Sequence, residues 1–102
     1  MGLVRVAEAS EIPVGSIKRV LVKRQPIAVF HLADGFYAIA DTCSHAEASL
    51  AEGDLVDDCR VACPLHGALF EIRTGAALTL PAVSPVDTYK VTVDGTAVMV
   101  EV

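Results

Sequence analysis

Along most of the chain apolar and polar residues alternate one for one, as in Lys90-Val91-Thr92-Val93-Asp94. Alternation with period two, rich in Val, Ile, Thr, Phe and Tyr, predicts half-buried strands, and signals for helix are nearly absent. The predicted strands are Leu3 to Ala7, Ile17 to Lys23, Ile27 to Leu32, Phe36 to Asp41, Thr88 to Val93 and Thr96 to Glu101. Asp34-Gly35 and Asp94-Gly95 stand between such runs. Asx-Gly pairs take positive φ readily, so each predicts a tight hairpin.

The pattern changes from about Thr42 to Pro81, a segment that holds every cysteine and two of the three histidines. It reads as an insertion into a β-base, with short strands at Leu55 to Asp57, Arg60 to Ala62, Leu69 to Ile72 and Ala76 to Leu78 and a turn at Thr74-Gly75. The expectation is an all-β chain of one domain, its base formed by 1–41 and 82–102 and its inserted subdomain by 42–81.

Composition narrows the possible functions. The 102 residues suit one modest core, and no apolar run approaches the roughly 20 residues needed to span a bilayer. No export leader is visible at Met1-Gly2-Leu3-Val4-Arg5, so a cytoplasmic location is expected; the chain is separately expected to be a monomer. Three cysteines suit ligands better than the disulfide framework of a secreted protein. A formal charge of −5 argues against nucleic acid, whose phosphates need a basic surface.

Within the insertion stand Cys43-Ser44-His45 and, after seventeen intervening residues, Cys63-Pro64-Leu65-His66-Gly67. In an extended loop, residues i and i+2 point the same way, so Cys43 and His45 can reach two neighbouring metal ions from one side. Cys63 and His66 can do so from a tight turn shaped by Pro64 and Gly67. On a 2Fe-2S centre, two neutral imidazoles in place of two thiolates remove two negative charges, which eases reduction and suits redox work. A structural zinc site is the alternative use of two Cys and two His. Zinc fingers, however, present C-x2-4-C and H-x3-5-H pairs, whereas each pair here mixes the two residue types. Cys59 matches no ligand position and is expected to be a buried thiol, and His31 an ordinary strand residue.

The C-x-H and C-x-x-H pairs, with Pro64, Gly67 and Arg73-Thr74-Gly75, resemble the Rieske ferredoxins. The likeness is strongest to the ferredoxin components of bacterial aromatic ring-hydroxylating dioxygenases. It implies a β-sandwich base carrying a cluster-binding subdomain and one Rieske-type 2Fe-2S cluster. Cys43 and Cys63 would hold the inner iron, and His45 and His66 the outer. The implied partners are a flavin-dependent NAD(P)H reductase and a terminal oxygenase, with the chain a carrier and not a catalyst. Leu80-Pro81-Ala82 resembles the proline loop that covers the cluster. Where high-potential members of the family carry a second cysteine pair, this chain has Ala48 and Leu65. Where they carry a serine and a tyrosine that donate to sulfur, it has Ala68 and Phe70. Loss of those donors implies a low potential.

Two other functions compete with this one. An oxygenase catalytic subunit would need a further site of two His and one carboxylate, and only His31 is left over. The small subunit of an assimilatory nitrite reductase shares the resemblance, and a sirohaem partner would favour it. From Thr42 to Pro81 the acidic residues Glu47, Glu52, Asp54, Asp57, Asp58 and Glu71 outnumber Arg60 and Arg73, a net of −4. The cluster end is therefore expected to be acidic and to meet a basic partner surface.

Overall fold

The computed structural model describes residues 2–43, 48–57, 59–65, 67–80 and 84–102. Ten strands account for nearly all its regular structure: β1 Leu3–Glu8, β2 Ile17–Val22, β3 Gln25–Leu32, β4 Gly35–Ala40, β5 Asp54–Leu55, β6 Arg60–Ala62, β7 Leu69–Glu71, β8 Thr88–Tyr89, β9 Val91–Asp94 and β10 Ala97–Glu101. They form three antiparallel sheets, ordered β1-β10-β9, β2-β3-β4-β8 and β5-β6-β7.

The middle sheet organises the molecule through β3. In that strand Ile27, Ala28, Val29 and Phe30 are all fully buried, so both of its faces are covered. Ile27 and Val29 pack with Ala7, Val98 and Val100 of the first sheet. Ala28, Phe30 and Leu32 pack on the other side with Leu50, Val61, Phe70 and Ile72 of the inserted segment. The continuous apolar run Ile27-Ala28-Val29-Phe30 is the sequence sign of a strand buried on both faces.

Both expected hairpins form, with the turn shifted by one residue in each. Leu32 pairs with Gly35 across Ala33-Asp34, and Asp94 with Ala97 across Gly95-Thr96. A third two-residue turn, Lys23-Arg24, joins β2 to β3 without any glycine. The single strand expected from Thr88 to Val93 is two strands: β8 pairs with β4 and β9 with β10, so the chain changes sheets at Lys90. Of the strand expected at Ala76 to Leu78 only a bridge from Ala77 to Phe70 forms. Asp57 is not in β5. Its carboxylate accepts the N–H groups of Cys59 (2.9 Å) and Arg60 (3.0 Å) and so closes the turn to β6. Two 3-10 turns, Ala9–Glu11 and Leu50–Glu52, are too short to leave a periodic signal.

The expected turn at Thr74-Gly75 docks the inserted segment on the returning chain. Gly75 has φ 77°, its N–H donates to Glu71, and its carbonyl accepts from Val86 N–H at 2.8 Å. A β-carbon at this position would lie 2.1 Å from the Val86 carbonyl oxygen, so only glycine allows the approach. Arg73 adds a side-chain tie, donating to Asp34 (2.9 Å) and lying 5.3 Å above the Tyr37 ring.

Candidate metal centre

Two loops with the same closure hold the cysteines. Cys43 N–H donates to the Ala48 carbonyl (2.9 Å), and Cys63 N–H donates to the Ala68 carbonyl (2.8 Å). Each bond spans five residues and encloses one histidine of the motif in sequence. The first loop leaves β4 and is sealed further by a bridge from Thr42 to Ser49. The second joins β6 to β7, where Gly67, at φ 69°, donates back to the Cys63 carbonyl.

Cys43 and Cys63 are 3% and 2% exposed and belong to one apolar cluster with Ala48, Leu50, Val61, Ala68 and Phe70. They form no disulfide. Two buried thiols facing one core from similar loops fit a group that takes two thiolates and is shielded from water. His45 and His66 lie outside the described residues, as do Glu47, Asp58, Pro81 and Ala82. Among the described residues no three ligating side chains gather, the described part of the site being its two cysteines.

One residue that the sequence did not single out holds the first loop in place. Asp41, only 2% exposed, directly follows β4, two residues before Cys43. Its carboxylate accepts from Arg19 Nε (3.0 Å), Ser49 Oγ (2.9 Å) and Ala51 N–H (2.9 Å), and its own carbonyl accepts from Leu50 N–H (2.7 Å). The partners come from β2 and from the chain just after the loop, so one side chain fixes both ends of it. An acidic residue directly after the apolar run Phe36 to Ala40 and two positions before Cys43 was the available signal.

The other candidates separate cleanly. Cys59 is half-buried rather than buried, with its Sγ 3.3 Å from Asp57 Oδ1, because it stands in the β5–β6 turn and not on the core face. Arg60, followed by the Cys59 N–H, holds the Asp57 carboxyl well below the usual carboxylate range. His31 behaves as a strand residue: Nδ1 donates to the Ile12 carbonyl (2.6 Å), and the ring stacks on Phe36 with centroids 3.9 Å apart.

Comparison with known proteins adds the family. The Rieske 2Fe-2S domain family matches residues 2–90. The 3-phenylpropionate/cinnamic acid dioxygenase ferredoxin subunit of Escherichia coli strain K12 is 42% identical over 99% of this chain and 94% of its own. The ferredoxin of carbazole 1,9a-dioxygenase from Nocardioides aromaticivorans IC177 superposes with a TM-score of 0.92 at 40% identity, covering 98% of this chain and 97% of that one. A structure described as the complex of reduced oxygenase and oxidised ferredoxin in carbazole 1,9a-dioxygenase matches at TM-score 0.89 and 39% identity, over 96% and 91% of the two chains. A match spanning nearly the whole chain, over a fold whose core holds Cys43 and Cys63, makes this chain a member of the Rieske 2Fe-2S family.

Proposed function

We propose that this chain is the electron-carrying ferredoxin of an aromatic ring-hydroxylating dioxygenase system, taking electrons from a flavin-dependent NAD(P)H reductase and passing them to the terminal oxygenase. The observation that carries it is whole-chain identity near 40% to ferredoxins of dioxygenases. The nitrite reductase alternative rests on shared fold alone. Cys43, His45, Cys63 and His66 would hold one Rieske-type cluster, which when bound takes up and returns a single electron. The chain's own part is to keep both thiols in a dry apolar core and to hold the two loops closed. The base is read as 1–41 and 82–102, with 42–81 as the cluster-binding subdomain. A cytoplasmic monomer is the matching state, and no described helix is long and apolar enough to cross a membrane.

Purified protein should contain two irons and two acid-labile sulfides per chain. One zinc and no sulfide would sink the reading. The potential follows from the groups beside the cysteines: Ala68, whose carbonyl closes the Cys63 loop, and Phe70 are both fully buried and neither offers a hydroxyl. The midpoint should therefore lie near the low end of the Rieske range, about −150 mV, and Ala68→Ser with Phe70→Tyr should raise it. A wild-type midpoint well above zero in a redox titration contradicts this.

A further inference from the structure

The chain has eight Lys and Arg residues, and among the described residues five of them are in ion pairs: Arg5, Lys18, Arg19, Arg60 and Arg73. Lys23, Arg24 and Lys90 are in none. Two of these three form the β2–β3 turn, side by side and exposed. They are also the non-glycine residues of the described chain with positive φ, at 52° and 68°. A two-residue turn with both φ positive is the geometry for which Asn-Gly is favoured, because a β-carbon strains the left-handed conformation. Two unpaired cations thus occupy strained positions where neutral residues would fold more easily, and such strain is a pointer to function.

The turn lies at the cluster end of the sheet. Asp41 N–H donates to the Pro26 carbonyl (3.1 Å), and Arg24 and Cys43 each stand two residues from that bond. Their Cα atoms are therefore within about 20 Å of each other. The face of β2 next to the turn carries Ile17, packed on the cysteine core, then Arg19, paired with Asp41, then Leu21, which is 64% exposed. Leu21, Lys23 and Arg24 make an apolar and basic patch beside an end otherwise supplied with exposed acidic groups such as Glu52 and Asp54.

We propose that this patch docks a carboxylate cluster on the terminal oxygenase, so that the approach to the cluster end is fixed by charges of both signs. The inference rests on the function proposed above. A protein surface fits better than a nucleic acid or an anionic membrane, because an extended polyanion would also meet the acidic residues alongside and the net charge of −5. Charges of both signs set register as well as encounter rate.

The test uses cluster-loaded protein and the purified terminal oxygenase of the source organism. Lys23→Asn with Arg24→Gly should melt roughly 5 °C higher as the strain is relieved. It should keep two irons and its midpoint potential, yet bind the oxygenase about tenfold more weakly by calorimetry at low salt. Lys23→Glu with Arg24→Glu should weaken binding further, and high salt should erase both differences. Lys90→Glu, the net-charge control, should leave binding unchanged. Unaltered oxygenase binding in both turn variants overturns the proposal, as does an equal effect from Lys90→Glu or an effect confined to reduction by the reductase. Wild-type protein that carries its cluster but reduces no ring-hydroxylating oxygenase removes the proposed function and this inference together. Normal transfer with unchanged binding of the variants removes the inference alone.

Discussion

Cys43→Ala, Cys63→Ala, His45→Ala and His66→Ala should each give protein with almost no iron or acid-labile sulfide, whereas Cys59→Ala should retain two irons per chain. The cysteine effect follows from burial: both thiols lie in one apolar cluster, and no other described side chain stands ready to replace them. An open site cannot recruit water as a substitute ligand there without wetting Val61 and Phe70, which are fully buried. Each histidine sits in sequence inside a loop that the neighbouring cysteine closes by a backbone bond, so removing the imidazole leaves the loop but deletes a ligand. Cys59 belongs to the β5–β6 turn with Asp57 and should be dispensable. Iron and sulfide analysis of the five variants, with circular dichroism to show that each has folded, decides the matter. Full cluster content in any of the first four contradicts the ligand set.

How far the sequence reveals this depends on the range of the forces concerned. The alternating runs announced β1, β2, β4 and β10 because each strand buries a face against a sheet, whereas β3, covered on both faces, showed as the continuous apolar run Ile27-Ala28-Val29-Phe30. The mixed Cys-x-His and Cys-x-x-His pairs pointed to a metal site from spacing alone, and of the four residues Cys43 and Cys63 stand in one apolar cluster while His45 and His66 lie outside the described residues. The break at Lys90 was hidden because Thr88 to Val93 alternates without interruption, and only tertiary pairing decides that β8 joins β4 while β9 joins β10. The Lys23-Arg24 turn was hidden for the opposite reason: local propensity argues against positive φ for both residues, and β2–β3 pairing overrides it. The role of Asp41 needs Arg19, Ser49 and Ala51, which converge only in the folded chain.

Asp41→Ala should be the most damaging change outside the ligands. It strips the acceptor from a side-chain hydroxyl and a backbone N–H beside the first cysteine loop and releases Arg19. Arg19 is half exposed and can turn to water, so the main loss is the two donors of Ser49 and Ala51 together with the charged hydrogen bonds, about 3 kcal/mol in all. That loss falls on the loop and not evenly over the fold, because Asp41 ties the chain entering Cys43 to the chain leaving Ala48. The cluster should therefore bleach roughly tenfold faster on mild heating, as local opening of the loop becomes easier than global unfolding. Asp41→Asn retains one acceptor and the side-chain shape and should lie between wild type and Asp41→Ala. Arg19→Ala should be milder than Asp41→Ala, since it leaves the carboxylate bonded to Ser49 and Ala51. The measurement is visible absorbance against time at fixed temperature, with global melting followed in parallel. If Asp41→Ala lowers the melting temperature but bleaches no faster than a core variant of equal stability, such as Val98→Ala in the opposite cluster, Asp41 supports the fold at large and not the cysteine loop.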